Sequence, residues 1–138
     1  MKRISIHTDG AARGNPGPAS VAYVINLGDD VIEEAEPIGS TTNNQAEYRA
    51  MRQACEKLLE LSPEQADLQF FSDSELMVKQ LNGEYRVKDA KIQPHYAAIQ
   101  SSLAQLRARG NRTNIAAVRR ALNERADELA NLALDGKL

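Results

Sequence analysis

The spacing of apolar residues changes along this chain, from every second residue near its start to every third or fourth residue later. Ile4, Ile6 and Thr8 alternate with polar residues, as in a β-strand. In chain order, the pattern predicts strands at 4–9, 20–26 and 31–38, a helix at 43–61, a strand at 68–72, helices at 73–82 and 92–106, a strand at 115–118 and a helix at 123–134. Three consecutive strands followed by strands that alternate with helices predict an α/β fold, a mixed sheet flanked by helices.

Length and composition narrow the class of protein further. The 138 residues suit one domain, which we expect to cover residues 1–138. No apolar run approaches the ~20 residues of a membrane span, and the first residues lack the apolar stretch of a signal peptide. Cys55 is the single cysteine, which excludes an internal disulfide and a cysteine zinc cluster. We therefore expect a monomeric, cytoplasmic protein that has no membrane partner.

Basic residues are concentrated in one part of the chain. Residues 86–125 hold nine basic and two acidic residues, whereas residues 1–85 hold seven basic and fourteen acidic ones. The net charge of −2 by itself gives no reason to expect a nucleic-acid partner. The local basic block favours one, although a solvated helix face would explain it equally well.

Glu47 is the most informative residue of the first predicted helix. At about 100° per residue, it falls in the middle of the apolar stripe formed by the alanine, methionine and leucine residues of that helix. A buried, unpaired carboxylate costs several kcal/mol or takes up a proton. The alternative is a capping box in which Glu47 bonds to a backbone amide at the helix start.

Three more carboxylates are expected near the same place. We expect Asp9 to end the first strand and Asp73 to end the fourth, and ligands of mixed α/β sheets bind beyond the carboxyl ends of parallel strands. Asp127 borders the apolar stripe of the last helix. Each has a structural alternative: a turn for Asp9, and for Asp73 a place beside a Ser72–Glu75 capping box. Converging carboxylates, however, repel one another unless cations are bound between them.

The composition of this cluster indicates which cation it would hold. All candidate ligand atoms are oxygens, and neither histidine has zinc-like spacing to another ligand. Hard oxygen ligands suit Mg²⁺ or Mn²⁺, and bound Mg²⁺ usually takes further ligands from water and phosphate. The residues therefore predict a metal-dependent phosphodiester hydrolysis with two ions per site.

Four segments resemble the motifs of type 1 ribonuclease H, in the order of that family and across nearly the whole chain. Thr8–Pro18 resembles the first-strand motif, and Thr41–Glu47 resembles the start of the first helix. Ser72–Ser74 resembles the fourth-strand motif, and Asn123–Asn131 resembles the motif of the last helix. Any one of these segments is a weak signal, whereas the four together are highly specific.

The resemblance implies a ribonuclease H-like sheet of five strands in the order 3-2-1-4-5. It implies an endonuclease that cuts the RNA strand of an RNA–DNA hybrid and leaves 5′-phosphate and 3′-hydroxyl ends. By this resemblance, Asp9 and Asp127 would hold the metal ion that activates water. Asp9, Glu47 and Asp73 would hold the ion that stabilises the leaving 3′ oxygen.

Substrate contacts are also implied by the resemblance. Asn15 and Asn43 would contact the minor groove of the hybrid, where 2′-hydroxyl groups distinguish RNA from DNA. Thr42 would contact a DNA phosphate. The alternatives are a turn before Pro16 for Asn15 and helix capping for Thr42 and Asn43.

The sequence departs from the family pattern at two places. Many members carry a histidine in the loop before the last aspartate, and this chain has none there. Some compact members have an arginine where Arg120 falls, although a phosphate-facing or solvated arginine is the simpler interpretation. The tryptophan-bearing basic handle of other members is also absent, and a smaller basic patch at Arg86, Lys88 and Lys91 stands in that region.

Two other functions remain open from the sequence. The chain could bind hybrids without cutting them, although all four carboxylates are present. Related exonucleases carry a second acidic residue two positions after the first-strand aspartate, where this chain has Ala11.

Overall fold

The computed structural model describes residues 1–138 as one five-stranded sheet with helices on both faces. The strands are β1 (Lys2–Ala12), β2 (Gly17–Asn26), β3 (Val31–Thr41), β4 (Ala66–Ser72) and β5 (Arg112–Ala117). The helices are α1 (Asn43–Leu61), α2 (Glu75–Leu81), α3 (Gln93–Ala108) and α4 (Glu124–Leu134), and a short 3₁₀ turn, Arg120–Asn123, precedes α4. None of these helices has the length and apolar content needed to cross a membrane.

The strand order is β3-β2-β1-β4-β5, which confirms the predicted order. β1 pairs antiparallel with β2 and parallel with β4, and β5 runs parallel to β4. The predicted strand bounds were mostly too short. For example, β2 begins at Gly17 rather than Ser20, because its first residues still pair with the end of β3.

The two faces of the sheet are covered by different helices. Alternate residues of β2 point to opposite faces, as a strand requires. Tyr23 and Ile25 join the main core under α1 and α3, whereas Ala22 packs with Leu129 of α4 on the other face. The small side chains on the second face allow α4 to approach the sheet closely. Both α1 and α4 thereby lie against β1.

Candidate active site

Asp9 lies within β1 and not at its end, so the sequence prediction was wrong on this point. The parallel pairing of β1 with β4 ends at His7, but its antiparallel pairing with β2 continues as far as Ala12. A strand with two neighbours continues for as long as either one supplies hydrogen bonds. Asp9 therefore occupies the point where the sheet opens on one side, and it is only 3% exposed.

Glu47 lies on the buried face of α1 and is 4% exposed. Its Oε1 accepts a hydrogen bond of 2.8 Å from the backbone N–H of Gly10, which is remote in sequence. The helix is capped by Thr42 instead, whose hydroxyl accepts from the Gln45 N–H at 3.2 Å. The capping-box alternative for Glu47 is therefore wrong, and the bond to Gly10 positions its carboxylate beside β1.

Gly10 allows the close approach of α1 to β1. A Cβ atom at this position would overlap the carbonyl carbon of Ala46 and the amide nitrogen of Glu47. Both of these atoms are backbone, so no side-chain movement could relieve the overlap. The absence of a side chain at Gly10 is what brings Glu47 next to Asp9.

Asp73 lies between β4 and α2, just beyond the carboxyl end of a parallel strand. The predicted Ser72–Glu75 capping box does not form, since Ser74 caps α2 by accepting from the Met77 N–H. Ser72 instead accepts from the Ser74 N–H at 3.1 Å, which shapes the turn that carries Asp73. As a result, Asp9, Glu47 and Asp73 each place a carboxylate oxygen within 4.8 Å of the others.

Asp127 projects into the same cleft from the first turn of α4 but is not part of this close trio. Its Oδ1 accepts a hydrogen bond of 3.3 Å from Arg120, whose side chain is 77% exposed. α4 is held to β1 by the buried Asn123, which donates to the carbonyl of Thr8 at 2.9 Å. Asp127 is therefore only partly buried, and a cation already faces it.

The electrostatic environment of Asp9, Glu47 and Asp73 favours a bound cation. Burial, followed by the charges of Asp73 and Asp127, raises the pKa of Asp9 to about 8. Burial, followed by the charges of Asp9 and Asp73, raises the pKa of Glu47 well above its ordinary value, against the opposing effect of the Gly10 N–H. Asp9 Oδ2 is buried without a hydrogen-bond partner. Such a lone pair carries a desolvation cost that a divalent cation would offset.

These carboxylates line a cleft of about 820 Å³, which also includes Asn43 and Arg120. Asn15 accepts a hydrogen bond of 3.0 Å from the Asn43 N–H, so it ties the β1–β2 loop to the start of α1. Thr42 acts as the N-cap of α1, and its side chain is therefore engaged by the helix. The structural roles considered for Asn15 and Thr42 are thus present. Neither residue lines the cleft itself, but both adjoin Asn43, which does.

Arg13 is a cleft residue that the sequence analysis did not single out. It lies between β1 and β2, lines the cleft and pairs with Asp135 at 2.6 Å beyond the end of α4. No periodicity connects two residues so far apart in sequence. The one signal that could have identified Arg13 is its place within the glycine-rich segment Thr8–Pro18.

The strand order of this mixed sheet is combined with buried carboxylates on β1 and α1, a partly buried one just beyond β4, and a further one on α4. This combination defines a ribonuclease H-like α/β protein. The RNase H family model matches residues 1–135. The chain belongs to the RNase H family.

Relatives and solved structures agree with this assignment. The chain is 40% identical over 135 residues to Ribonuclease HI of Halobacterium salinarum, a match that covers 96% of this chain and 65% of the relative. A bifunctional protein of Mycobacterium tuberculosis is 36% identical over 136 residues, which cover 96% of this chain and 36% of that protein. The chain thus spans about two thirds of the first relative and about one third of the second.

Two crystal structures show the same fold over nearly their full lengths. RNase H1 from Halobacterium salinarum has a TM-score of 0.84 at 39% identity, with 97% of this chain and 98% of that chain covered. LC11-RNase H1 in complex with an RNA/DNA hybrid has a TM-score of 0.88 at 36% identity, with 96% and 97% covered.

Proposed function

We propose that this protein is a metal-dependent endonuclease that cleaves the RNA strand of RNA–DNA hybrids and leaves 5′-phosphate and 3′-hydroxyl ends. The observation that carries the proposal is the trio Asp9, Glu47 and Asp73, two of them buried, each of which places a carboxylate oxygen within 4.8 Å of the others. Family membership supports the reaction, and the hybrid bound to LC11-RNase H1 supports the substrate. These residues lie in one sheet or on elements directly next to it, so we treat residues 1–138 as one catalytic unit.

The four carboxylates fit a site for two Mg²⁺ or Mn²⁺ ions. Asp9 would contribute to both ions, with Asp127 at one and with Glu47 and Asp73 at the other. When bound, the ions would supply an activated water molecule and stabilise the charge that develops on the leaving 3′ oxygen. The unpartnered Oδ2 of Asp9 and the all-oxygen donor set are the features that support this fit.

The neighbouring groups hold this donor set in place. The Gly10 N–H fixes the orientation of Glu47, and the turn formed by Ser72 holds the backbone next to Asp73. Arg120 faces Asp127 across a hydrogen bond of 3.3 Å and supplies a positive charge beside that carboxylate. Arg120 would also lie near a substrate phosphate, because both residues line the same cleft.

The border of the cleft would contact the hybrid. We assign Asn15 and Asn43 to the minor groove and Thr42 to a DNA phosphate. The hydrogen bond from the Asn43 backbone N–H holds the Asn15 side chain beside the start of α1, where the exposed Asn43 side chain begins the helix. Two neighbouring amide side chains suit the wide, shallow groove of such a duplex, where 2′-hydroxyl groups are displayed.

The test is incubation with four labelled duplexes: RNA–DNA, RNA–RNA, DNA–DNA, and DNA with one embedded ribonucleotide. We expect rapid, Mg²⁺-dependent cutting of the RNA strand in the first duplex. Product ends are identified by whether a ligase or a phosphatase acts on them. Tight hybrid binding without turnover in Mg²⁺ or Mn²⁺ would show a binding protein instead, and DNA–DNA cutting at a similar rate would contradict the proposed specificity.

A further inference from the structure

A second group of basic side chains lies outside the catalytic cleft, where α3 packs beside α1. Arg49 and Arg52 of α1 and His95 of α3 line a separate cleft of about 290 Å³ together with Gln53 and Glu56. No apolar side chain contributes to this cleft. On α1, Arg49 and Arg52 lie about 200° and 140° from Glu47, so they face away from the buried carboxylates.

The positive charge of this cleft is only partly neutralised. Arg52 pairs with Glu56 through its Nε at 3.3 Å, whereas Arg49 forms no salt bridge. Arg52 also donates through Nη1 to Nδ1 of His95 at 3.3 Å. Since arginine has no acceptor, Nδ1 must be unprotonated and Nε2 carries the ring proton, which leaves Nε2 as a donor.

The start of α3 adds to this field. The helix has 16 residues, no side-chain cap at Ile92 and no acidic residue in its first turn. The Gln93 N–H donates to the Asp89 carbonyl and Pro94 has no N–H, so this end of α3 contributes mainly through the partial positive charge of the helix dipole close to His95. Burial, and then the charges of Arg52 and Arg49, lowers the pKa of His95, as expected in a positive environment. Two arginines, a donor ring nitrogen and a helix start suit an anion.

The position along α1 indicates where that anion would come from. Arg49 lies seven residues after Thr42, a rise of about 10 Å along nearly the same side of α1, and Asn43, the next residue after Thr42, lines the catalytic cleft. Phosphates recur about every 3.4 Å of axis along one strand of a duplex, so about 10 Å corresponds to two or three nucleotides. In the proposed function Thr42 contacts a DNA phosphate, so a strand that continues along α1 from Thr42 to Arg49 would be the DNA strand.

We propose that Arg49, Arg52 and His95 form a second phosphate site, which binds a backbone phosphate of the DNA strand two or three nucleotides from the one at Thr42. This inference rests on the proposed function, because it takes the hybrid as the substrate. The site would add affinity and fix the register of the duplex without touching the scissile bond.

The test measures binding of a labelled hybrid by fluorescence anisotropy in EDTA, so that no cutting is needed, over a series of salt concentrations. Arg49→Ala should weaken binding by about three- to tenfold and reduce the slope of log K against log salt by about 1. Arg49→Lys should restore most of the slope. Arg107→Ala is the matched control, because it removes the same charge near the other end of α3, about 18 Å away from His95.

The strand is identified with single neutral methylphosphonate linkages, moved stepwise along the DNA. At one or two positions, the methylphosphonate should weaken hybrid binding by the wild type as much as Arg49→Ala does. The same linkage should not weaken binding by the Arg49→Ala variant any further. The ring signals of His95, one of two histidines, should shift in NMR spectra when hybrid is added. Inorganic phosphate alone at matched ionic strength should leave them nearly unchanged.

Each contrary outcome has a distinct meaning. If the wild type cuts hybrids but the wild type and Arg49→Ala bind them with the same affinity and the same salt slope, the second phosphate site is wrong. The proposed function is not affected by that result. A shift with inorganic phosphate and no dependence of hybrid binding on Arg49 would show a free-anion site instead. Failure of the wild type to cut any of the four duplexes would overturn the proposed function, whatever the binding results.

Discussion

Replacing Asp9 with Asn should inactivate the enzyme and yet stabilise the metal-free fold. The pKa of Asp9 is raised from 3.8 to about 8, first by burial and then by the neighbouring carboxylates. Between these two values the folded protein binds more protons than the unfolded chain. The free energy of unfolding must therefore decrease as pH rises through this window, and it is independent of this group below and above it.

The raised pKa of Asp9 sets an upper limit on the effect. At ~1.4 kcal/mol per pH unit between pH 4 and pH 8, the stability lost is at most about 6 kcal/mol. Protonation of Glu47, whose pKa is also raised, relieves part of this repulsion in the wild type. We therefore expect Asp9→Asn to gain about 1–2 kcal/mol near pH 7 and close to nothing near pH 4.

The assay is urea unfolding of both proteins at several pH values, in EDTA and in Mg²⁺. In EDTA the two stability curves should converge at low pH and separate as pH rises. Mg²⁺ should stabilise the wild type more than the variant, because the ions bind only the folded cluster. If the variant is less stable than the wild type at pH 8 in EDTA, Asp9 has a structural role that outweighs repulsion and the reasoning is wrong.

Substitutions at three further positions test single contacts of the site. Glu47→Gln should abolish turnover but keep the bond from the Gly10 N–H, whereas Glu47→Ala should also cost about 1–3 kcal/mol in urea unfolding; equal stability of the two variants would contradict this. Gly10→Ala should lower stability by at least about 3 kcal/mol, since its Cβ meets the backbone of Ala46, and a near-native melting temperature would rule this out. If the Arg120 side chain assists the reaction, Arg120→Ala should lower kcat more than it raises KM. If it contacts only phosphate, the substitution should change KM and the salt dependence of KM instead. Wild-type kinetics would refute both roles.

The order of elements was predictable because it depends on local spacing. The bounds of α1, Asn43–Leu61, are those that the sequence predicts, since Thr42 and Ser62 mark its ends by local chemistry. The extension of β1 past Asp9 was not predictable. It depends on hydrogen bonds to β2, a partner that the pattern of β1 alone does not specify.

The buried position of Glu47 followed from the helical wheel, but its partner did not. The choice between a capping box and a long-range contact depends on how closely α1 approaches β1, and this distance is set by Gly10. The contact of His95 with Arg52 could not be predicted from the sequence either. It joins α3 to α1, and the apolar periodicity of each helix does not indicate which residues of the two helices meet.

The most direct test of the central claim is a comparison of wild type and Asp9→Asn on one hybrid whose RNA strand is end-labelled, in Mg²⁺ and in EDTA. We expect the wild type to cut RNA in Mg²⁺ and not in EDTA. We expect no cutting by Asp9→Asn, although urea unfolding should show this variant to be at least as stable as the wild type when metal-free. Cutting that persists in excess EDTA, or an Asp9→Asn variant that retains wild-type activity, would contradict it.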